Sequence, residues 1–271
     1  MRIRLNKRFI IQSAALAFLF FLGFFSSIIC PRDPLKPGYS PGLTPPSPTF
    51  PMGTDQLGRD VFSWVLCGIR VAFYVGVTAT LLCFAIALIV GAIAGFYGGI
   101  IDQILMRLTD LMMSIPRFVL IVVFAILFGS NINNLILIIG GLSWPRLARV
   151  IRGEVLSLKE REFVLSAKVI GCSDLDILFS EILPNTIPTI LPLLSLQMAH
   201  SVIDEVGISF LGFGDPEVPS WGRLIALGRA AIFAGGWWVL IWPCIVCAIF
   251  LLLINLLADT LNDILNPRTQ G

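Results

Sequence analysis

KEREFVLSAKVIGCSDLDILFSEILPN, residues 159–185, is the longest stretch rich in both charge signs in an otherwise oily chain, and long hydrophobic runs flank it. A charged, helix-forming connector between two apolar segments is what a membrane protein presents to water. The surrounding composition agrees. The 271 residues are 56% hydrophobic and 13% charged, with mean hydropathy +0.90, which is too apolar for a soluble domain. Residues 9–31, 71–101, 118–145, 182–203 and 230–258 hold no Asp, Glu, Lys or Arg. About 20 apolar residues cross a bilayer core as a helix. The expected fold class is therefore all-α, a polytopic membrane protein with six transmembrane helices.

The six spans are expected at about 9–29, 71–99, 103–128, 132–151, 185–206 and 236–257. The basic start MRIRLNKRF precedes some 22 apolar residues, more than the roughly 7–15 of a signal peptide's hydrophobic region. It reads as a retained first helix. Residues 31–56 are rich in Pro, Gly, Ser and Thr, which predicts an extended, solvated loop. It leads into Gly53-Thr-Asp-Gln-Leu-Gly-Arg-Asp60, whose glycines and paired charges suggest a shaped turn. Gly91, Gly95 and Gly99, spaced by four, would lie on one helix face where another helix can approach closely. Pro116 is expected to kink the third span. Arg146, Arg149 and Arg152 follow one another by a helical turn at the end of the fourth. Residues 207–236 read as a glycine-rich, partly amphipathic external segment.

Basic residues concentrate on the inner side of membrane proteins. With six spans and the N-terminus inside, thirteen of the nineteen basic residues fall on the inner face, against six (Arg32, Lys36, Arg59, Arg70, Arg223, Arg229) outside. Both termini, and residues 159–185, are thus expected in the cytoplasm. The organisation reads as a first helix plus Pro-rich external loop (1–70), a core (71–260) with a cytoplasmic loop at 154–185, and a short tail (261–271).

Within that loop two short helices are expected. The first, about 154–170, continues from the fourth span and is capped by Gly171. Ser173-x-x-Asp176 resembles a capping box opening the second, which should end by Leu183 because Pro184 disfavours helix before it. Leu175, Leu178, Phe179, Ile182 and Leu183 form one apolar stripe, with Asp174, Asp176 and Glu181 off it. Such a stripe needs something to cover it.

LSAKVIGCSDLDILFSEILPN resembles the cytoplasmic coupling loop of ATP-binding-cassette importer permeases. GTDQLGRDVFSWVLCGIR (53–70), YGGIIDQILMRLTDLMMSIP (97–116), SFLGFGDPEVPSWG (209–222) and NLLADTLNDILNPR (255–268) narrow the likeness to the dipeptide/oligopeptide/nickel permeases, specifically their second (C-type) subunit. The resemblance spans nearly the whole chain. It implies a type I, binding-protein-dependent importer in a prokaryotic cell membrane. A homologous second permease would complete the pathway, two ATPase subunits using ATP and Mg would dock beneath, and an external binding protein would deliver the cargo. Peptides are the implied cargo; nickel or another metal chelate, glutathione or oligosaccharide are the alternatives. It assigns ATPase coupling to Glu162, Leu165, Ser166, Ala167, Gly171, Ser173, Asp174, Leu175, Asp176, Leu178, Phe179, Leu183, Pro184 and Asn185. Leu165 stands where the family usually has the Glu of a Glu-Ala-Ala trio. An ionic contact from 165 is therefore unavailable, and docking is expected to lean on apolar packing and Glu162.

No Gly-x-x-x-x-Gly-Lys-Ser/Thr loop occurs, so the chain is not expected to hydrolyse ATP itself. No metal-ligand cluster, nucleophile–base set, bound cofactor or nucleic-acid partner is expected. His200, the single histidine, and Asp204 and Glu205 are the candidates for pathway lining or proton handling; the two acids are expected at a solvated or interfacial outer end. A proton-coupled secondary transporter is the rival, but it would need a mid-span carboxylate that the uncharged runs lack. The six cysteines (Cys30, Cys67, Cys83, Cys172, Cys244, Cys247) mostly lie in or beside apolar segments and read as small packing residues. Cys244 and Cys247 have redox-motif spacing inside a hydrophobic run.

Overall fold

A computed structural model describes residues 7–265. Arg2, Arg4 and Arg268 of the charge argument, and most of the 261–271 tail, lie outside the described residues. Within them the chain is helical, with one isolated bridge between Thr54 and Asp60 and no strand.

Helix α1 (Lys7–Phe24) and a single turn α2 (Ser26–Ile29) are followed by the Pro-rich segment. Helix α3 (Val61–Tyr97) begins where the Asp60 carboxylate accepts from the Ser63 amide at 3.1 Å, satisfying an otherwise orphan donor. At 37 residues it is about 55 Å long, longer than a bilayer core and ten residues earlier in its start than the uncharged run implied. The extension is the GTDQLGRD turn folding onto it. Arg59 Nε meets Asp55 Oδ2 at 2.6 Å inside the protein, and three indoles pin the turn and its neighbours. Trp238 donates to Thr54 O, Trp64 to Ser220 O and Trp221 to Val65 O, each at 2.9–3.0 Å. The expectation of a solvated loop thus fails in its second half, where Thr54, Asp55 and Asp60 are wholly buried.

Helices α4 (Gly99–Ser114) and α5 (Arg117–Phe128) replace the expected kinked third span. They meet at 83° across Ile115-Pro116, because Pro116 removes a ladder donor and excludes helix before it. Helix α6 (Ile132–Lys159) is opened by Asn131, which accepts from the Asn133 amide. It runs eight residues further than expected. Helix α9 (Leu183–Phe210), the short α10 (Trp221–Phe233) and α11 (Trp238–Leu265) complete the bundle. By length and apolarity four helices can cross a membrane: α3, α6, the helix ending in α9, and α11. The α4–α5 pair makes a fifth if it counts as one bent span, and α1 is a shorter apolar helix. Six is reached only by counting all of these.

The largest helix–helix contact is α3 against α6, and two of the three spaced glycines explain it. A Cβ on Gly91 would stand 2.6 Å from Ala148 O; one on Gly95 would stand 2.8 Å from Arg152 O. Gly99 does not join them. It sits at φ 57 in the turn after α3, beside nothing within 4 Å. Side chains then extend the same seam: Arg152 and Arg149 of α6 pair with Asp102 and Asp110 of α4, and the Lys159 ammonium reaches Phe96 O.

A Gly95→Leu variant is expected to lose about 1–3 kcal/mol or more of stability through overpacking, read as a lowered thermal midpoint of the purified protein. Gly153→Ala, on α6 with open space around it, is expected to leave that midpoint unchanged or raise it.

Candidate functional site: an apolar elbow and a polar cavity

Between α6 and α9 the chain forms an elbow. Glu160 and Arg161 break the helix, α7 (Glu162–Val169) follows, and Gly171 at φ 88 ends it. The Gly171 amide donates to Lys168 O and the Cys172 amide to Ala167 O, both at 3.1 Å. This is the paired 5→2 and 6→1 pattern that a left-handed residue makes at a helix end. Ser173 then accepts from the Asp176 amide at 3.2 Å and donates to its carboxylate at 2.6 Å, so Ser173 is the N-cap that opens α8 (Asp174–Asp176), while the reciprocal bond of a capping box, from the Ser173 amide to the Asp176 carboxylate, is not made.

Beyond that point the structure departs from expectation. The second helix does not stop at Leu183. It passes through a π-helical segment, Ile177–Ile182, directly into α9, with Pro184 in the first turn of α9. A π turn bonds i to i+5, and the Leu183 amide donates to Leu178 O accordingly. This local widening seats a proline that an α-helical ladder would reject, and the Asn185 amide side chain covers Glu181 O at 2.6 Å.

The π segment also rotates the apolar stripe. Leu178 and Ile182 turn inward with Ile177, which the sequence pattern did not select, and pack with Val164, Ala167, Ile151 and Val155 in one buried cluster. Leu175 and Phe179 stay outside. Leu165, Val169 and Ile170, on and just after α7, are exposed too: Val169 is 86%, Ile170 79% and Phe179 64% exposed. Of the fourteen residues assigned to coupling, Ala167 and Leu178 are therefore buried supports and Leu183 is half-buried. Glu162, Leu165, Ser166, Gly171, Ser173, Asp174, Leu175, Asp176, Phe179, Pro184 and Asn185 are exposed. Glu162 and Lys168 are the charged side chains of α7.

The second feature is a polar cavity of about 390 Å³ between the α4–α5 joint, α6 and α9, lined among others by Arg117, Ser143, Arg146, Gln197 and His200. Arg117 donates to Ser143 Oγ at 3.2 Å and to Asp204 Oδ1 at 3.1 Å, and lies 2.9 Å from Asp204 Oδ2. Asp204 and Glu205 are both buried, which corrects the solvated role expected for them; Glu205 accepts from Ser209 Oγ at 2.7 Å. His200 is half-buried at the cavity wall. Arg146 forms no ion pair among the described residues. Arg117 and Arg146 were assigned to the inner face by charge counting, yet both face the cavity. Each follows a helix-distorting proline, Pro116 or Pro145, and that adjacency is the signal that marks them.

Comparison with known proteins follows the same lines. Residues 87–271 match the model of the family described as binding-protein-dependent transport system inner membrane component. The dipeptide transport system permease DppC of Bacillus subtilis is 32% identical over 270 residues, 99% of this chain and 84% of that protein. The oligopeptide permease OppC of Mycobacterium bovis is 33% identical over 269 residues, 98% and 92% of the two chains. The glutathione permease GsiD of Pectobacterium atrosepticum is 34% identical over 227 residues, 83% and 75%. A chain of the MetNI methionine ABC transporter superimposes with a TM-score of 0.60 at 16% identity, covering 75% of this chain and 97% of that one; it shows the fold alone.

Arg117→Ala would leave the buried Asp204 carboxylate without its half-exposed partner, a loss on the order of 1–3 kcal/mol. The thermal midpoint in detergent should fall accordingly, and the Arg117→Met/Asp204→Leu double substitution should recover most of it.

Proposed function

The chain belongs to the family of binding-protein-dependent transport-system inner membrane components, and from that premise we propose that it is one of two membrane subunits of an ATP-driven peptide importer. Its elbow docks a cytoplasmic ATPase subunit. A second, similar permease completes the pathway, a second ATPase serves that partner, and an external binding protein delivers the cargo. ATP is hydrolysed in those other subunits, not here. Both termini and the elbow face the cytoplasm; the 31–60 turn and α10 face outward.

The observation that carries this reading is the elbow's set of exposed apolar side chains, of which Leu175 and Phe179 stand on a helix that runs unbroken from Asp174 into α9. Leu165, Val169, Ile170, Leu175 and Phe179 are supported from below by Val164, Ala167, Ile177, Leu178 and Ile182. Burial returns roughly 25 cal/mol per Å² of apolar surface, so such side chains favour a protein partner over water. When ATP draws the two ATPase subunits together, a contact seated here moves α9 as one body and biases the bundle between two states.

The polar cavity is read as this subunit's share of the pathway. A cation at mid-helix costs about 2.5–3.5 kcal/mol on insertion scales when it faces lipid. Arg146, near the middle of α6 and without an acidic partner among the described residues, is therefore placed against water. Of the two buried carboxylates nearby, Asp204 is paired with Arg117 and Glu205 accepts from Ser209. The permeases DppC and OppC, named for dipeptides and oligopeptides, favour peptide as cargo; glutathione, itself a small peptide, is the second reading that GsiD supports.

The test is ATP-dependent uptake of labelled peptide by the complete complex in proteoliposomes. Phe179→Asp and Gly171→Pro are expected to leave assembly of the permease pair intact while lowering binding-protein-stimulated ATPase and uptake at least tenfold, on the order of 1.4 kcal/mol or more of coupling. Either variant assembling and transporting at the parental rate would sink the coupling role. Uptake driven by a proton gradient without ATP would sink the importer reading.

A further inference from the structure

Cys30 closes the turn α2 immediately before the Pro-rich segment, and Cys67 lies on the second turn of α3. Their sulfurs are 3.1 Å apart, and the Cys30 thiol also lies 3.5 Å from Ser63 O. This is the one thiol–thiol contact among the described residues. Cys244 and Cys247, closer in sequence, make none. The two residues are 37 apart in the chain, so nothing local forces the approach. Both are half-buried, open enough to meet a water-borne reagent. Cys67 sits one turn before Arg70 and one after Ser63, at the level where α3 leaves its apolar run for the GTDQLGRD turn.

We propose that Cys30 and Cys67 form a disulfide that fastens the first helix to the permease core. The oxidant is an external disulfide, carried by a thiol oxidase or by a small molecule. One protein thiolate attacks it, forming a mixed disulfide and releasing one thiol. The second protein thiolate then attacks the first protein sulfur and expels the other thiol. Two protein thiols become one disulfide, the external disulfide becomes two thiols, and the two protons end on the released pair. Closing from 3.1 Å to the bonded distance of about 2.05 Å asks for roughly 1 Å of sulfur movement, within reach of side-chain torsions.

The site lies at the seam between the first helix and the core. Helix α1 packs on α3 and α11 through Leu16, Leu19 and Leu22, a side-on contact that membrane surroundings compete for with lipid. A bond at Cys30 holds the end of α1 against α3 whatever lipid does. The proposal rests on the outward placement of the 31–60 turn, since disulfides persist in oxidising compartments and are reduced in the cytosol.

The experiment uses membranes containing the whole complex. Free thiols are blocked with light N-ethylmaleimide before lysis, the sample is reduced, and newly exposed thiols are tagged with heavy maleimide. Peptide mass spectrometry then reads each cysteine. Cys30 and Cys67 should carry heavy label together while Cys172 carries light, and Cys67→Ser should turn Cys30 light. Light label on both in the parental protein, persisting after incubation with oxidised glutathione, overturns the disulfide. Lys36→Cys, tested with an impermeant maleimide on intact cells, locates such a failure. Labelling from outside puts the fault in the pairing, and labelling only from inverted vesicles puts it in the orientation of the chain.

Discussion

Backbone contact between α3 and α6 is the constraint on which the other features depend. At Gly91 and Gly95 the two helices approach so closely that a single Cβ would meet a carbonyl of the partner. In lipid no hydrophobic effect drives helices together, so association rests on dispersion at short range, and small residues set that range. The closeness aligns the two long helices over much of their length. At one end, α3 carries the indole-pinned GTDQLGRD turn; at the other, α6 carries the elbow. The pairs Arg152–Asp102 and Arg149–Asp110 then fix α4 across the same seam. A rigid frame under the elbow is what makes a push there arrive elsewhere.

That frame was legible in part. Glycines spaced by four announced a close approach, and the structure uses two of the three. Gly171, the Ser173 cap and the shape of the turn before α3, though not its burial, were also readable, because each depends on a few neighbouring residues. Features that depend on distant partners were not. Arg146, Arg149 and Arg152 look alike on one helix face. Only the position of α4 gives two of them acids and leaves the third to the cavity. The burial of Asp204 likewise needs Arg117, 87 residues away.

The π segment shows a different limit. Leu-Pro in sequence reads as a helix end, because an α-helical ladder cannot seat the proline ring. A chain that widens one turn to i→i+5 bonding can seat it, and nothing between Ile177 and Ile182 advertises that choice. The error then propagates. A stripe drawn at 3.6 residues per turn groups Leu175 and Phe179 with Leu178 and Ile182, whereas the wider turn sends the latter pair inward and leaves the former outside.

This same widening bears on how the elbow works. Had the second helix ended at Leu183, a flexible joint would separate the docking face from α9, and a push would be absorbed there. A continuous helix from Asp174 to Phe210 has no such joint. The elbow's one left-handed residue, Gly171, lies before that helix, between α7 and α8, so it can adjust the angle of α7 without loosening α9. The departure at Leu165 fits this arrangement. A salt bridge at an exposed site contributes only about 0–1 kcal/mol and is screened by salt, so a rigid elbow gains more from burying Leu165, Val169, Ile170 and Phe179 than from one carboxylate. An apolar contact is also non-directional. In the proposed importer it would tolerate sliding as the ATPase subunits close, while the backbone behind it carries the movement into the bundle.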